Sequence, residues 1–276
     1  MDVRVTSDAA VFEQTVFPFL QQDPVLHTII MSNVHERAAG TYRSEGEPSY
    51  YVSVHDASGE VVGAAMRTPG RMVYLGALQA EYAEAVADAY LDVLADQIGV
   101  AGDRPAARRF ADRWCERRGG TATESKATRL HKLGTLTPLS ADGSPRLMTD
   151  GEIELVADWA KDGFAEELGG DYLDWAKDHL KNKTMWIWET GGEPVSMVGY
   201  HRPLFGVCRV GPVYTPPERR RHGYAGALTS HVSAEILAQG NQACLYTDLA
   251  NPTSNKIYHV AGYRPVADFV DLEFPA

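Results

Sequence analysis

The stretch Val210–Ala238, V-G-P-V-Y-T-P-P-E-R-R-R-H-G-Y-A-G-A-L-T-S-H-V-S-A-E-I-L-A, decides the fold. It predicts a strand ending at Tyr214, a basic loop, and a helix from about Gly223 whose apolar residues recur on one face. A helix N-terminus leaves about four backbone N–H groups without partners and carries partial positive charge. Glycine lets a ligand approach the backbone, and arginine adds charge and forked donors. The stretch therefore predicts an anion cradle, and pyrophosphate is the anion that suits it.

A solvated basic turn before an ordinary amphipathic helix explains the same stretch equally well on its own. A dinucleotide fingerprint and a P-loop are disfavoured, because the stretch contains neither G-x-G-x-x-G nor G-K-[ST]. The pattern that remains is R-x-x-G-x-A, at Arg220, Gly223 and Ala225. It resembles the acyl-CoA loop of the GNAT acetyltransferases, [QR]-x-x-G-x-[GA].

A second motif follows in Y-T-D-L-A-N-P-T-S-N-K-I-Y-H-V-A-G-Y, residues 246–263. It resembles the GNAT pattern N-x-x-[AS]-x-x-[IL]-Y-x-x-x-G-[FY]. Asn251, Ile257, Tyr258, Gly262 and Tyr263 match this pattern, and Asn255 lies within it. Together the two motifs stand in the family's order, so the resemblance is specific for residues 145–276.

An internal repeat extends the resemblance to the first half of the chain. Residues 59–69, G-E-V-V-G-A-A-M-R-T-P, resemble residues 192–203, and the predicted elements around them recur in the same order. The resemblance implies an α/β (α+β) fold with a mixed, mostly antiparallel sheet, in two GNAT-like domains in tandem. We expect a degenerate domain at 1–134, since its 72–81 segment M-V-Y-L-G-A-L-Q-A-E lacks the arginine loop, and a catalytic domain at 145–276.

The resemblance implies that acetyl-CoA binds the second domain and leaves as CoA. The expected cofactor-binding residues are Val213, Tyr214, Thr215, Arg219, Arg220, Arg221, His222, Gly223, Tyr224, Ala225, Gly226, Asn251, Asn255 and Tyr258. The backbone of 213–214 would bond the pantetheine arm, and residues 219–226 the pyrophosphate. Asn255 would bond the arm, while Asn251 also suits a helix cap. Tyr258 is the expected catalytic residue, a proton donor to the CoA thiolate, and a core tyrosine is the alternative.

No carboxylate stands on the strand V-C-R-V-G-P-V-Y, residues 207–214, where many family members carry a general base. His201, Tyr200, Tyr214 and Asp248 are the alternatives at strand ends, together with a water. The predicted helices at 151–165 and 171–181 are acidic. A solvated face is the ordinary explanation of such a charge run, and an acidic surface would also steer an amine toward the site.

The expected activity is acetyl-CoA-dependent N-acetyl transfer to the amine of a small molecule, by direct attack in a ternary complex. A mycothiol-synthase-like or aminoacyl transferase and a non-catalytic acyl-CoA-binding regulatory module are the alternatives. The first domain would then be structural, dimerising or substrate-shaping, and a homodimer stays open.

The composition of the chain limits the classes of binding partner and the cellular compartment that we expect. The chain has 276 residues, a net charge of −11 and three widely spaced cysteines. The negative charge argues against sequence-independent binding of nucleic acid, and the cysteine spacing against a zinc site or a disulfide framework. The N-terminus lacks a signal-peptide pattern and the chain lacks an apolar membrane span. We therefore expect a cytoplasmic protein with no metal, no nucleic acid and no membrane partner.

Overall fold

The computed structural model describes residues 1–40, 47–168 and 171–275. The described chain forms twelve strands and eight α-helices, with short 3₁₀ turns at Ala80–Tyr82, Asp150–Glu152 and Pro217–Arg219. The strands are β1 (Asp2–Thr6), β2 (Tyr50–His55), β3 (Val61–Arg67), β4 (Val73–Gly76), β5 (Gly99–Asp103), β6 (Thr123–Leu133), β7 (Ser144–Leu147), β8 (Met185–Thr190), β9 (Glu193–Tyr200), β10 (Val207–Tyr214), β11 (Gln242–Asp248) and β12 (Tyr263–Glu273). The helices are α1 (Ala9–Leu20), α2 (Thr28–Ala38), α3 (Ala83–Leu91), α4 (Arg104–Arg118), α5 (Ile153–Leu168), α6 (Tyr172–Asn182), α7 (Tyr224–Ala238) and α8 (Pro252–Ala261).

The chain divides into two compact units, and both are assembled from separated segments. The first contains Met1–Leu130, Tyr246–Ala250 and Val266–Ala276, and the second contains His131–Leu245 and Asn251–Pro265. The end of the chain therefore belongs to the unit that the beginning of the chain builds.

In the first unit the strands follow the order β1-β2-β3-β4-β5-β12. Among the described residues of this unit only β4 and β5 pair in parallel. Strand β12 pairs antiparallel with β5, from Phe269 opposite Asp103 to Glu273 opposite Gly99. The alternating apolar residues of these strands pack against α3 and α4, where Phe110 and Trp114 stack and Trp114 stacks on Phe274. Val270 and Leu272 of the last strand, together with Phe274 just after it, thus complete the core of this unit.

In the second unit the order is β11-β10-β9-β8-β7, and of these strands, within the described part of the chain, only β10 and β11 pair in parallel. Successive side chains of each strand point to opposite faces of the sheet, and helices cover both faces. Apolar residues of α7, such as Leu228 and Val232, pack on one face. Those of α5 and α6, such as Val156 and Ala176, pack on the other. The expected mixed, mostly antiparallel sheet is confirmed.

The repeat in the sequence corresponds to a repeat in the structure. The hairpins β2–β3 and β8–β9 turn at Gly59 and Gly192, whose φ angles of 90° and 81° lie in the left-handed region that glycine adopts without strain. In each unit a strand, a 3₁₀ turn, a helix, a strand and a further helix follow that hairpin. The tandem arrangement is therefore present in the fold and is more than a coincidence of turn residues.

The segment after β6 is hydrogen-bonded to the second unit. Gly134 N donates to Gly262 O at 3.0 Å and Thr137 N donates to Ala261 O at 2.9 Å. Further along, Leu139 N donates to Ser230 Oγ at 3.0 Å. The stretch expected to link the two domains is therefore packed along α7 and the end of α8.

One expected helix is wrong in extent. The periodicity of residues 79–96 predicts a single helix, whereas α3 ends at Leu91 and is followed by β5. The sequence does not predict β5 because Gly99 and Gly102 have low strand propensity. Packing requires both glycines: a Cβ at Gly99 would lie 2.4 Å from Leu272 O, and one at Gly102 would lie 2.8 Å from Leu75 Cβ.

The acidic side chains predicted on the helices at 151–181 are described only in part. The side chains of Glu166 and Glu167 lie outside the described residues.

Candidate active site

The predicted anion cradle lies between β10 and α7 in the second unit. The 3₁₀ turn Pro217–Arg219 follows the strand, and four residues later α7 begins. Within those four residues, Arg221 and Gly223 have φ angles of 67° and 85°, so the chain turns twice through the left-handed region. Gly223 stands at the N-cap and offers no side-chain cap, and the first turn of α7 holds no acid. The N–H groups of this helix end are therefore left for a ligand or for water.

Arg219 and Arg220 of the loop contact different partners. Arg219 forms an ion pair with Glu193 at 2.6 Å on the exposed surface. Arg220 Nε donates to the carbonyl oxygen of Thr215 at 3.0 Å, which ties the loop back to the end of the strand. This bond uses only Nε of Arg220, and the guanidinium fork of an arginine suits a phosphate.

The ring of His222 lies beside the helix start. It stacks on Tyr224 with ring centroids 5.4 Å apart, and its Nδ1 lies 3.2 Å from Arg219 O. The stacking orders two of the residues that the sequence assigns to the cradle.

Two glycines of the motif differ in what they permit. At Gly223 an added Cβ would find no atom closer than 3.7 Å, so this position is open apart from its backbone angle. At Gly226 the added Cβ would lie 3.1 Å from Leu139 Cδ1 and 3.2 Å from Ile257 Cγ2. Gly226 therefore serves the packing of α7 against α8 and the segment at Leu139, while Gly223 serves the open helix end.

The end of β10 places successive side chains on opposite faces. A bulge separates Val210 from Val213 in the pairing with β9. Val213 packs on the α7 side, whereas the ring of Tyr214 is buried on the α5 side. The carbonyl of Tyr214 and the hydroxyl of Thr215 both meet Ser196 Oγ at 2.8 Å. One lone pair of that carbonyl is therefore already used within the protein.

Tyr258 is buried on α8, with 9% of its surface exposed. Its ring meets Tyr263 edge-on at 6.1 Å and packs in the same apolar cluster as α7. Burial raises the pKa of Tyr258 to about 12, and the nearby Thr229 side chain opposes that rise. The phenol therefore keeps its proton throughout the neutral range. Both expected roles, donor and core residue, fit this setting.

The two asparagines of the second motif serve their own helix. Asn251 is the N-cap of α8, and its side-chain oxygen accepts from Ser254 N at 3.1 Å. Pro252 follows at the first helical position, where a missing N–H costs nothing. Asn255 Nδ2 donates to Asn251 O at 2.8 Å. The capping role that the sequence allowed for Asn251 is present.

All four residues considered as a general base are engaged or buried, and the first three are His201, Tyr200 and Asp248. His201 Nε2 accepts from Arg209 Nη2 at 3.0 Å, and burial lowers the pKa of His201, with Arg209 acting in the same direction. Tyr200 is buried, which raises its pKa. Asp248 belongs to the first unit, where its Oδ1 accepts from Ala250 N at 2.7 Å.

The fourth, Tyr214, donates a short hydrogen bond to Asp162 on α5. Asp162 was not among the residues that the sequence assigned to the site. It is one acid among many on an acidic helix, so no motif distinguishes it. The structure brings it to the end of the strand that precedes the cradle.

Two clefts on the surface of the first unit, of about 440 and 430 Å³, are lined by none of the motif residues. Among the described residues, no group of three or more His, Cys, Asp and Glu side chains is arranged to hold a metal. Within the same residues, no helix combines the length and the apolar character of a membrane span.

Comparison with known proteins agrees with this geometry. The family model described as FR47-like protein matches residues 197–269, which contain β10, the arginine loop, α7 and Tyr258. Residues 197–269 therefore match a GNAT-related family model, in the part of the chain where the sequence motifs resemble that family. No curated protein sequence matches the chain.

Solved GNAT structures extend the likeness to the whole chain at low sequence identity. An acetyltransferase of the GNAT family from Colwellia psychrerythraea aligns with a TM-score of 0.62 and 13% identity, covering 100% of both chains. A GCN5-related N-acetyltransferase from Sphaerobacter thermophilus gives 0.62 and 16%, covering 100% of this chain and 96% of that one. A tandem GNAT protein from the clavulanic acid biosynthesis pathway gives 0.55 and 13%, covering 100% of both. These likenesses show the fold: two GNAT-like copies in tandem.

Proposed function

We propose that the second unit is an acyl-CoA-dependent N-acetyltransferase, which transfers an acetyl group to the amine of a small molecule by direct attack in a ternary complex. The observation that carries the proposal is the start of α7. Its N-terminal N–H groups have no side-chain cap, its first turn has no acid, and three arginines precede it. In a chain with a net charge of −11, this local cation cluster suits a highly anionic ligand.

The residues of the cradle fit a pyrophosphate. Gly223 leaves the backbone open, and Arg220 is held at the end of β10 through Thr215. A pyrophosphate at a helix N-terminus gains from the free N–H groups and from the dipole. Acetyl-CoA, when bound there, would supply an acetyl group activated as a thioester.

Tyr258 would hold the proton that the departing thiolate needs. Its pKa of about 12 keeps the phenol protonated, and burial among Tyr263 and the α7 side chains excludes water. General acid help of this kind contributes typically 10²–10⁴-fold. Asn255 and the backbone at Val213 remain the proposed contacts of the cofactor arm.

The first unit, in this proposal, binds no acetyl-CoA and acts as a structural, dimerising or substrate-shaping partner. The amine acceptor is the only small-molecule partner proposed besides acetyl-CoA. The three cysteines are free thiols, which fits a cytoplasmic protein.

The test is turnover of acetyl-CoA by the purified full chain with a panel of small amines. We expect release of CoA together with a mass gain of about 42 daltons on the acceptor. Arg220→Glu, which reverses the charge at the cradle, should abolish both readouts at a fixed, subsaturating acetyl-CoA concentration. Binding of acetyl-CoA without release across the panel would favour a regulatory module. Activity only with longer acyl or aminoacyl donors would favour the mycothiol-synthase-like or aminoacyl alternative.

A further inference from the structure

Tyr214 is the last residue of β10, and its ring packs under α5. Its hydroxyl donates a short hydrogen bond to Oδ2 of Asp162. Gly163 makes room for the ring, since a Cβ there would lie 2.7 Å from Tyr214 Cδ2. The helix is irregular at the next residue, where Phe164 has φ −144° and ψ 29°. Sequence and backbone therefore both adapt to place this carboxylate against this tyrosine.

The carboxylate of Asp162 carries an uncompensated charge. Among the described residues, its hydrogen bond to Tyr214 is its only one and no lysine or arginine forms an ion pair with it. Burial, with Asp162 next in importance, raises the pKa of Tyr214 to about 12, so the tyrosine stays neutral and the pair keeps one negative charge. Arg220 also acts on Tyr214 electrostatically, but its Nε is bonded to Thr215 O. Oδ1 of Asp162 is thus free to accept from a ligand, and its side chain is exposed.

Two further aromatic rings border the ring of Tyr214, whose hydroxyl is bonded to the carboxylate. The ring of Trp159 lies 5.9 Å from that of Tyr214, and the ring of Phe164 lies 6.5 Å from it on edge. Both Trp159 and Phe164 are half-buried, so part of each ring faces solvent. A carboxylate beside aromatic rings is a combination that attracts an ammonium group, through charge and through the ring quadrupole. The rings also provide apolar surface for the carbon skeleton that bears it.

We infer that Asp162, oriented by Tyr214, binds the ammonium group of a hydrophobic primary amine whose carbon skeleton lies against Trp159 and Phe164. This inference rests on the proposed function, for which it names the class of acceptor. Asp162 is the residue that determines specificity, and Tyr214 is a positioning residue. The strand that carries Tyr214 leads directly into the cradle, so one strand end connects the proposed cofactor loop with the proposed amine position.

The experiment compares a matched pair of probes, 2-phenylethylamine and 2-phenylethanol, which share a skeleton and differ in charge. Calorimetric titration of the full chain, with and without CoA, should show the amine binding about tenfold more tightly than the alcohol. Asp162→Asn should remove this preference. Asp158→Asn, which makes the same charge change at an exposed acid one turn earlier on α5, should retain it. Tyr214→Phe should reduce it several-fold, because the carboxylate loses its fixed partner.

A preference retained in Asp162→Asn, lost equally in Asp158→Asn, or absent from the wild type would overturn the inference. These outcomes are separable from failure of the proposed function. A chain that binds acetyl-CoA and releases CoA but shows no preference between the probes contradicts the amine site alone. A chain that prefers the amine but neither binds nor turns over acetyl-CoA contradicts the transferase alone.

Discussion

The two units have the same order of elements after β4 and after β10, but the turns that follow these two strands differ. In the first unit the 3₁₀ turn Ala80–Tyr82 runs without a break into α3 at Ala83. In the second, the 3₁₀ turn Pro217–Arg219 is followed by four residues, two of them left-handed, before α7 begins at Tyr224. The first turn therefore leads the chain smoothly into a helix, while the second opens the helix end.

The charges at the two helix starts are opposite in sign. The first has Glu81 in the 3₁₀ turn and Glu84 in the first turn of α3, where they already complement the helix dipole. The second has Glu218 in its 3₁₀ turn, but three arginines at 219–221 follow it and the first turn of α7 contains no acid. The later helices differ as well, since α4 contains no tyrosine and buries Phe110, whereas α8 carries Tyr258. The comparison teaches that the fold is retained in both copies, and that the proposed anion site differs from its counterpart by the four residues between the 3₁₀ turn and the helix.

The largest expected effect comes from separating the units at the predicted domain boundary. A fragment of residues 1–134 would lack the segment of β12 that pairs with β5 and the buried residues Val270 and Leu272. Exposed apolar surface and an unpaired strand edge should leave it unfolded or aggregated. Circular dichroism and size-exclusion chromatography, with the full chain as the control, measure this. Cooperative unfolding of a monomeric fragment would show that the first unit folds without β12.

Tyr258→Phe sharpens the contrast between α8 and α4, because it gives α8 the residue type that α4 buries. If Tyr258 protonates the thiolate, turnover at saturating substrates should fall by roughly one to three powers of ten, with little change in acetyl-CoA affinity. Steady-state kinetics with an acceptor for which chemistry limits the rate is the measurement. Tyr263→Phe, at the neighbouring buried tyrosine, is the matched control. Wild-type turnover in Tyr258→Phe would assign the residue to the core.

A histidine distinguishes the helices that precede the two hairpins. His179 on α6 is buried and its Nδ1 lies 2.7 Å from Thr184 Oγ1, whereas His35 on α2 is exposed beside Glu13. Burial lowers the pKa of His179 to about 4. The folded state therefore resists a proton that the unfolded state accepts near its ordinary pKa of about 6.5. This contribution is present above that pH and is lost as the pH falls toward 4, about 2 kcal/mol between pH 7 and pH 5.

Urea unfolding at the two pH values checks the histidine. His179→Gln should flatten the pH dependence, while His35→Gln, which removes an exposed histidine, is the matched control. An undiminished acid effect in His179→Gln would place its origin elsewhere.

Arg220→Ala has the smallest expected effect, because it removes one contact to a part of the cofactor that does not react. The Michaelis constant for acetyl-CoA should rise about tenfold while turnover at saturation changes little. Arg202→Ala removes another exposed arginine of the same unit and serves as the control. An unchanged Michaelis constant would count against the pyrophosphate assignment.

The parts of the site that the sequence predicts are those encoded locally. The strand β10 was expected at its observed bounds, and α7 begins within one residue of the expected Gly223, because a strand, a turn and an amphipathic helix each have short-range patterns. The contact between Tyr214 and Asp162 joins residues 52 positions apart, and nothing local distinguishes Asp162 from its acidic neighbours.

The pairing of β12 with β5 also depends on contacts between residues far apart in the chain. The sequence predicts strand character near the end of the chain, but the choice of Val270 and its neighbours as partners of β5 depends on packing between residues far apart in the chain. The repeat predicts domains at 1–134 and 145–276, and the first compact unit contains Tyr246–Ala250 and Val266–Ala276 in addition to Met1–Leu130.

The most direct test of the contrast between the copies is the stoichiometry of acetyl-CoA binding to the full chain by titration calorimetry. The account predicts one site per chain, since of the two corresponding helices α3 has Glu84 in its first turn, whereas α7 has no acid there and follows three arginines. Arg220→Glu should remove that site, while Glu81→Gln at the corresponding turn of the first unit should leave it unchanged. Two sites per chain, or one site that survives Arg220→Glu, would contradict the account.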